Sequence, residues 1–312
     1  MRISKPVKIV LSLLIVGIVL YYIARTLIEN SGQLGEYDFT FRYGWLALSV
    51  TLLLACQLLL PWIWSMFFRS FGLPVSYADS LEVLFLSYLT RYVPGRVLTV
   101  LSQVGLAREK KIPAEVSATT AVLYQLVSVL AGLEVFFLTL LVWPELAIVS
   151  KAVALAAALV LVFVSTRTGL VRTAVRAVIK KIKGTEAPFE LSARQVLAIQ
   201  LVLLSSWLVY AGAIYCLLRS FLETDPAGAL IVTGIQAVSW LVGYYTLFSP
   251  GGLGVREGVQ IFMLKGFFPA ALTVLIPVVL RLWMSLGDIL VFLVGALVRF
   301  QRRRRRSKPT AS

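Results

Sequence analysis

Apolar runs of about twenty residues, bounded by charged stretches, recur along the chain from residue 9 to residue 298. A run of that length is what an α-helix needs to cross the roughly 30 Å hydrocarbon layer of a bilayer. Full spans are expected at 9–28, 44–68, 114–142, 146–164, 194–218 and 269–298. Composition agrees: 59% of residues are hydrophobic and 14% charged, against about half and a quarter in a soluble domain. The expected fold is an all-α polytopic membrane protein, and no polar segment is long enough to make a separate soluble domain. The N-terminal run follows Arg2, Lys5 and Lys8 and lacks a small-residue cleavage site, so it reads as an uncleaved first span.

Two further apolar regions are broken in the middle. Residues 81–106 are interrupted at Pro94-Gly95, and residues 229–268 at Ser249-Pro250-Gly251-Gly252-Leu253-Gly254. Charge balance orients the chain, because basic loops stay on the cytoplasmic side. Residues 2–8, the Arg108–Lys111 loop, residues 167–194 and the arginine tail are basic and read as inside. The 29–43 and 219–227 loops are acidic on balance and read as outside. With six full spans, these assignments close if the first broken segment starts and ends inside and the second starts and ends outside. Each is then expected to be a re-entrant hairpin of two half-helices, although residues 229–247 are long enough to cross alone.

The broken segments also resemble each other. Pro94-Gly95 and Pro250-Gly251 are each followed nineteen residues later by a proline, Pro113 or Pro269, that opens a long helix. Tyr88 and Tyr244 precede the pairs by six, and Arg69-Ser70-Phe71 and Arg219-Ser220-Phe221 end the preceding spans. Two copies entering from opposite faces make an inverted repeat, an organisation that places broken helices around a midplane site. The chain then divides into a first span and outer loop (1–43), repeat 1 (44–143), a connecting span with a basic segment (144–193), repeat 2 (194–298) and a basic cytoplasmic tail (299–312). The amphipathic 166–184 stretch reads as a helix lying on anionic lipid.

Several function classes are excluded or disfavoured. The chain has no histidine, which removes Ser-His-Asp and Cys-His catalysis and histidine-ligated zinc. Cys56 and Cys216 stand alone in apolar helices, with core packing as their role. The net charge of +15 reflects basic residues flanking spans, not a nucleic-acid partner. No nucleotide, metal or other cofactor signature is present.

Chemistry concentrates at the breaks. Backbone groups freed in hydrocarbon cost several kcal/mol each, so a break at membrane depth must be buried in protein or line a wet cavity. Glycines let backbone approach a ligand, and a helix starting just after the break directs N–H groups at an anion. The candidate substrate-binding residues are Arg91, Pro94, Gly95 and Arg96 at the first break. At the second they are Ser249, Pro250, Gly251, Gly252, Gly254, Arg256 and Glu257, joined by Arg281 from the last span. Glu257, Glu134 and Asp288 are candidates to orient the arginines or couple to protons; structural salt bridging, Glu134 with an arginine for example, is the alternative. Under the repeat, Gln125 occupies the place of Arg281.

RYVPGR (Arg91–Arg96), SPGGLGVREG (Ser249–Gly258) and a late arginine followed by Gly-Asp (Arg281, Gly287, Asp288) resemble the lysylphosphatidylglycerol synthase/flippase membrane-domain family over nearly the whole chain. The resemblance implies a multi-pass protein of the cytoplasmic (inner) membrane, with both termini cytoplasmic. Its substrate would be a phosphate-headgroup lipid, either an aminoacylated phospholipid or one linked to polyprenyl phosphate. Bifunctional members carry an aminoacyl-transferase domain; the chain stops at an arginine tail, so a flippase-like protein without synthase activity is expected. Expected partners are anionic or phosphate-containing membrane lipids and a separate lipid- or glycan-modifying enzyme, with an oligomer left open. The residues also leave open an integral-membrane glycosyl or lipid transferase and a non-catalytic partner of such a synthase.

Overall fold

A computed structural model describes residues 41–92, 97–167, 189–246 and 252–306, with positions 169, 173 and 177. Nine α-helices are described: α1 (Tyr43–Ser70), α2 (Tyr77–Leu86), α3 (Val97–Arg108), α4 (Ala114–Thr139), α5 (Ile148–Thr166), α6 (Ala193–Arg219), α7 (Pro226–Tyr245), α8 (Val255–Leu264) and α9 (Ala270–Arg306). A 3-10 turn at Tyr88–Tyr92 follows α2, and another at Leu140–Val142 extends α4. Six of these segments are long and apolar enough to cross a membrane: α1, α4 with its extension, α5, α6, α7 and α9. The chain is a multi-pass membrane protein. The expected first span, 9–28, and most of the 166–184 stretch lie outside the described residues.

Local signals fix the helix starts. Ser76 caps α2, its hydroxyl accepting from the Asp79 N–H at 3.1 Å. Ser192 and Gln195 form a reciprocal capping box on α6. Asp225 accepts from the Gly228 N–H at 2.8 Å, and Pro226 supplies the first turn of α7. That cap starts α7 three residues before the apolar run, so the first arm of the second broken segment is a 20-residue helix, about 30 Å long. It differs in this from the half-helix expected there. By contrast α2 and α3, with 10 and 12 residues, reach only about 15 and 18 Å.

The centre is an antiparallel pair, α1 against α6, which makes the most extensive contact among the described helices. Each helix is fastened at both ends by the other. The Arg42 N–H, just before α1, donates to the Ser220 carbonyl just after α6; the Glu190 N–H, before α6, donates to the Ser70 carbonyl at the end of α1, both at 2.9 Å. The surrounding contacts come in matching pairs: α2 with α9 and α7 with α4, α1 with α9 and α6 with α4, α3 with α4 and α8 with α9. Large side chains such as Trp64, Phe67, Phe68 and Phe85 are fully buried between these helices. On α5, Val149, Val153 and Leu159 stand exposed, as expected of a face turned to lipid.

The helix ends sort into two groups. Arg302 reaches Asp79 at 2.7 Å and Glu82 at 3.0 Å, Lys110 pairs with both carboxylates, and Arg299 pairs with Glu109. The start of α2, the end of α3 and the end of α9 therefore meet on one side. At the other end Arg42 and Arg219 share Glu223, and Trp143 after α4 stacks edge-on against Phe267 after α8, with centroids 4.5 Å apart. These pairings explain why α9 continues through Arg306 where a separate tail was expected from residue 299: its first arginines are bound to α2 and α3.

Burial raises the Asp79 carboxyl, but hydrogen bonds from Arg302 and Ser76 and the charges of Arg302 and Lys110 outweigh it and hold the group below the usual range. Its contribution to stability is full above the unfolded value of about 3.9 and is lost as pH falls through the depressed folded value. Glu82 is only 2% exposed and depends on the same two cations. Lys110→Ala is therefore expected to lower the melting midpoint in detergent, by the equivalent of about 1–3 kcal/mol. Replacing the exposed Arg194 by alanine should leave it unchanged.

Candidate functional site

A cavity of about 280 Å³ lies between the two broken segments. Its walls come from the middle turns of α1 (Leu53 to Leu60), α4 (Ala121 to Ser128) and α6 (Leu203 to Tyr210), which places it near mid-depth of these helices. Both halves of the chain contribute at matching positions. Leu53, Cys56, Gln57 and Leu60 correspond to Leu203, Ser206, Trp207 and Tyr210 at a constant offset of 150, and all eight line the cavity. Leu84, Tyr88, Val100 and Ser128 correspond to Trp240, Tyr244, Arg256 and Met284 at an offset of 156, the spacing of the two Pro-Gly pairs, and again all eight line it.

The second break aims Arg256 at this space. Gly252 and Gly254 have φ of 74° and 81°, a left-handed conformation that side chains disfavour. Gly254 begins α8, and its N–H donates to Glu257 Oε2 at 2.7 Å. Arg256, the second residue of α8, passes between the backbones of Gly243 and Gly252; a Cβ at Gly252 would lie 2.8 Å from its Nε. That Nε is buried and has no hydrogen-bond partner among the described residues. Gln125 Nε2, also on the cavity wall, is a second buried donor without one.

Around Arg256 the other predicted charges form a connected set. Arg91 lies over the Tyr88 ring at 4.1 Å and pairs with Asp288 at 3.3 Å. Tyr92 donates to the same carboxylate at 2.8 Å. Arg281 stands 3.7 Å from Glu257 and 5.8 Å from the Tyr92 ring centroid. Arg91 and Arg256 line the cavity directly, and among the described lining residues there is no carboxylate. Two charge-assisted pairs thus orient Arg91 and Arg281, while Arg256 keeps a free donor.

The structure brings together Arg91, Gly252, Gly254, Arg256, Glu257, Arg281 and Asp288. Pro94, Gly95, Arg96, Ser249, Pro250 and Gly251 lie outside the described residues. Glu134 stands apart from this set. It is fully buried and bonds Gln200 and, at 3.0 Å, Ser165, with no arginine bonded to it among the described residues. Cys56, expected only to pack, also lines the cavity. Sequence reasoning passed over Tyr92 and the wall glutamines Gln57, Gln103 and Gln236. The available signal was the same for each: a polar group inside an apolar helix that needs a partner there.

The chain belongs to the family described as the lysylphosphatidylglycerol synthase TM region, whose profile matches residues 9–295. The family is associated with lipid translocation. No curated protein and no solved structure matches the chain.

The packing of Arg256 yields a direct expectation. Gly252→Ala combines a left-handed backbone with a Cβ against Arg256 and should cost about 1–3 kcal/mol of stability. Gly258→Ala, in α8 with nothing within 4 Å, should be neutral or stabilising by up to about 1 kcal/mol. Thermal midpoints of the two variants check this, and equal midpoints would contradict the packing.

Proposed function

We propose that this protein is a flippase that moves a phosphate-headgroup lipid across the cytoplasmic membrane, the headgroup passing through the central cavity while the tails remain in the bilayer. One observation carries the reading: two guanidinium side chains, Arg256 and Arg91, line a mid-depth cavity that has no carboxylate on its described wall. Two guanidinia at one space favour an anion between them, and phosphate oxygens are what such forks hold best. At about 280 Å³ the space is just below the range of small-molecule pockets, roughly 300–1,000 Å³. It suits a headgroup and leaves no room for acyl or prenyl chains.

The halves α1–α4 and α6–α9 form an inverted repeat in this account. Support comes from the reciprocal backbone bonds of the antiparallel pair α1 and α6, the matching helix contacts and the equivalent wall positions. The first broken segment is re-entrant: α2 and α3 are too short to cross, and the start of one and the end of the other meet the end of α9. The second enters from the opposite face, with α7 as its longer arm and α8 as the half-helix that returns. The termini are cytoplasmic. Pro94, Gly95, Arg96, Ser249, Pro250 and Gly251 are further candidates for headgroup binding on the strength of the sequence alone. Glu257 and Asp288 hold Arg281 and Arg91 in place, and Glu134 acts apart from the headgroup.

Reconstitution with fluorescent phospholipids tests the reading. Wild-type protein should accelerate transbilayer movement over empty liposomes, and Arg256→Ala should remove at least about nine-tenths of that acceleration. Arg256→Lys keeps the charge without the fork and should retain an intermediate rate. No acceleration for any phosphate-headgroup lipid would overturn the proposal.

A further inference from the structure

We propose that Glu134 is a proton-binding site separate from the cavity, holding its proton while α5 is closed on α4 and α6 and giving it up when the end of α5 loosens. The inference does not rest on the transport reading. Glu134 is fully buried, and among the described residues its carboxyl bonds only neutral groups. Gln200 Nε2 on α6 meets one oxygen, and the Ser165 hydroxyl on α5 lies 3.0 Å from the other. A protonated carboxyl with two such partners costs far less to bury than a carboxylate without a cation. The helices packed on α4 are α1, α3, α5, α6 and α7, and their ionisable groups stand elsewhere. Lys151 is at the far end of α5, and Arg167, just past the near end, is exposed and lies over the Phe163 ring at 4.0 Å. Arg194 is exposed at the start of α6, as are Arg69 and Arg108 at the ends of α1 and α3. Cys56, Tyr210 and Tyr244 line the cavity, whose described wall does not include Glu134.

The end of α5 accommodates both protonation states. The Ser165 hydroxyl also lies 3.0 Å from the Val162 carbonyl, and the Thr166 hydroxyl lies 2.7 Å from Val162 and 3.1 Å from the Phe163 carbonyl. Each hydroxyl has one hydrogen to give. With Glu134 protonated, its O–H donates to Ser165 Oγ, Ser165 donates to Val162, and Thr166 donates to Phe163. When the proton passes to water, Ser165 turns its hydrogen to the carboxylate and Thr166 takes its place on Val162. The Phe163 carbonyl then loses its hydroxyl. The Arg167 N–H does not replace it, since it bonds the Val164 carbonyl at 3.2 Å. Ionisation thus leaves a last-turn carbonyl of α5 unsatisfied. Little else holds this helix: α5 is the least buried of the six spans, and Ser165 is the one polar side chain among its buried residues.

Infrared difference spectra and hydrogen exchange test the site on the full chain in nanodiscs. Wild type minus Glu134→Gln at neutral pH should show one protonated-carboxyl C=O band, and Ser165→Ala should move that band to higher frequency by removing its acceptor. Raising the pH from about 6.5 to about 9.5, a span that covers buried carboxyls, should abolish the band. Over the same span, exchange at the end of α5, corrected for its intrinsic pH dependence, should speed up by at least about tenfold in the wild type. Glu134→Gln, neutral and of the same shape, has no proton to lose and should keep the slow rate throughout. A carboxylate at neutral pH, as a cation from elsewhere in the chain would leave it, overturns the proton site. Exchange that responds to pH equally in the wild type and Glu134→Gln overturns its coupling to α5.

Discussion

A guanidinium among apolar helices must be given acceptors or a counter-charge, and this requirement organises the centre of the molecule. Glu257 meets it twice, accepting from the first N–H of α8 at Gly254 and standing 3.7 Å from Arg281. Because that carboxylate ties a helix start to the last span, α8 is held in the position from which Arg256 extends between Gly243 and Gly252. Asp288 plays the corresponding part for Arg91 and Tyr92 on the first break. Without these two carboxylates, the three arginines would repel one another with nothing to fix their places. With them, Arg91 and Arg281 are answered and Arg256 is left to act.

Around this centre the helix contacts of the two halves match, while the residues on them differ. Equivalent positions of α1 and α6 face each other across the cavity, yet Gln57 stands opposite Trp207 and Cys56 opposite Ser206. Val100 occupies the place of Arg256, and Gln125 that of Arg281. Each half supplies one guanidinium to the wall, Arg91 and Arg256, while three of the four wall glutamines, Gln57, Gln103 and Gln125, come from the first half. The outer ends of the helices are fastened by a different chemistry: the ion pairs among Asp79, Glu82, Lys110, Arg299 and Arg302 at one end, and Glu223 with its two arginines at the other.

Much of the fold was legible in the sequence, since hydrocarbon imposes a length on each apolar run and the runs at 44–68, 114–142, 146–164 and 194–218 became helices within two residues of those limits. Where the reading differed, a local interaction decided. Asp225 and Pro226 lengthened α7 to the length of a span, and Arg302 found acids on α2 that drew the basic tail into α9. The arginines and carboxylates of the site were legible because buried charge is rare in such a chain. Its neutral members were not: a glutamine in a span gives no indication of which face it takes, and Gln57, Gln103 and Gln236 acquired a role only once eight helices were placed around them. Glu134 shows the converse, a buried ionisable group whose partners among the described residues, Gln200 and Ser165, are neutral and lie away from the cavity.

The central claim is that two broken segments converge on one anion site in the middle of the membrane. A structure determined in nanodiscs containing an anionic phospholipid tests it most directly. The account predicts a headgroup phosphate in the cavity within hydrogen-bonding distance of Arg256, with its tails leaving between helices toward the bilayer. Lipid confined to the outer surface, with Arg256 paired to a carboxylate of the protein, would contradict it.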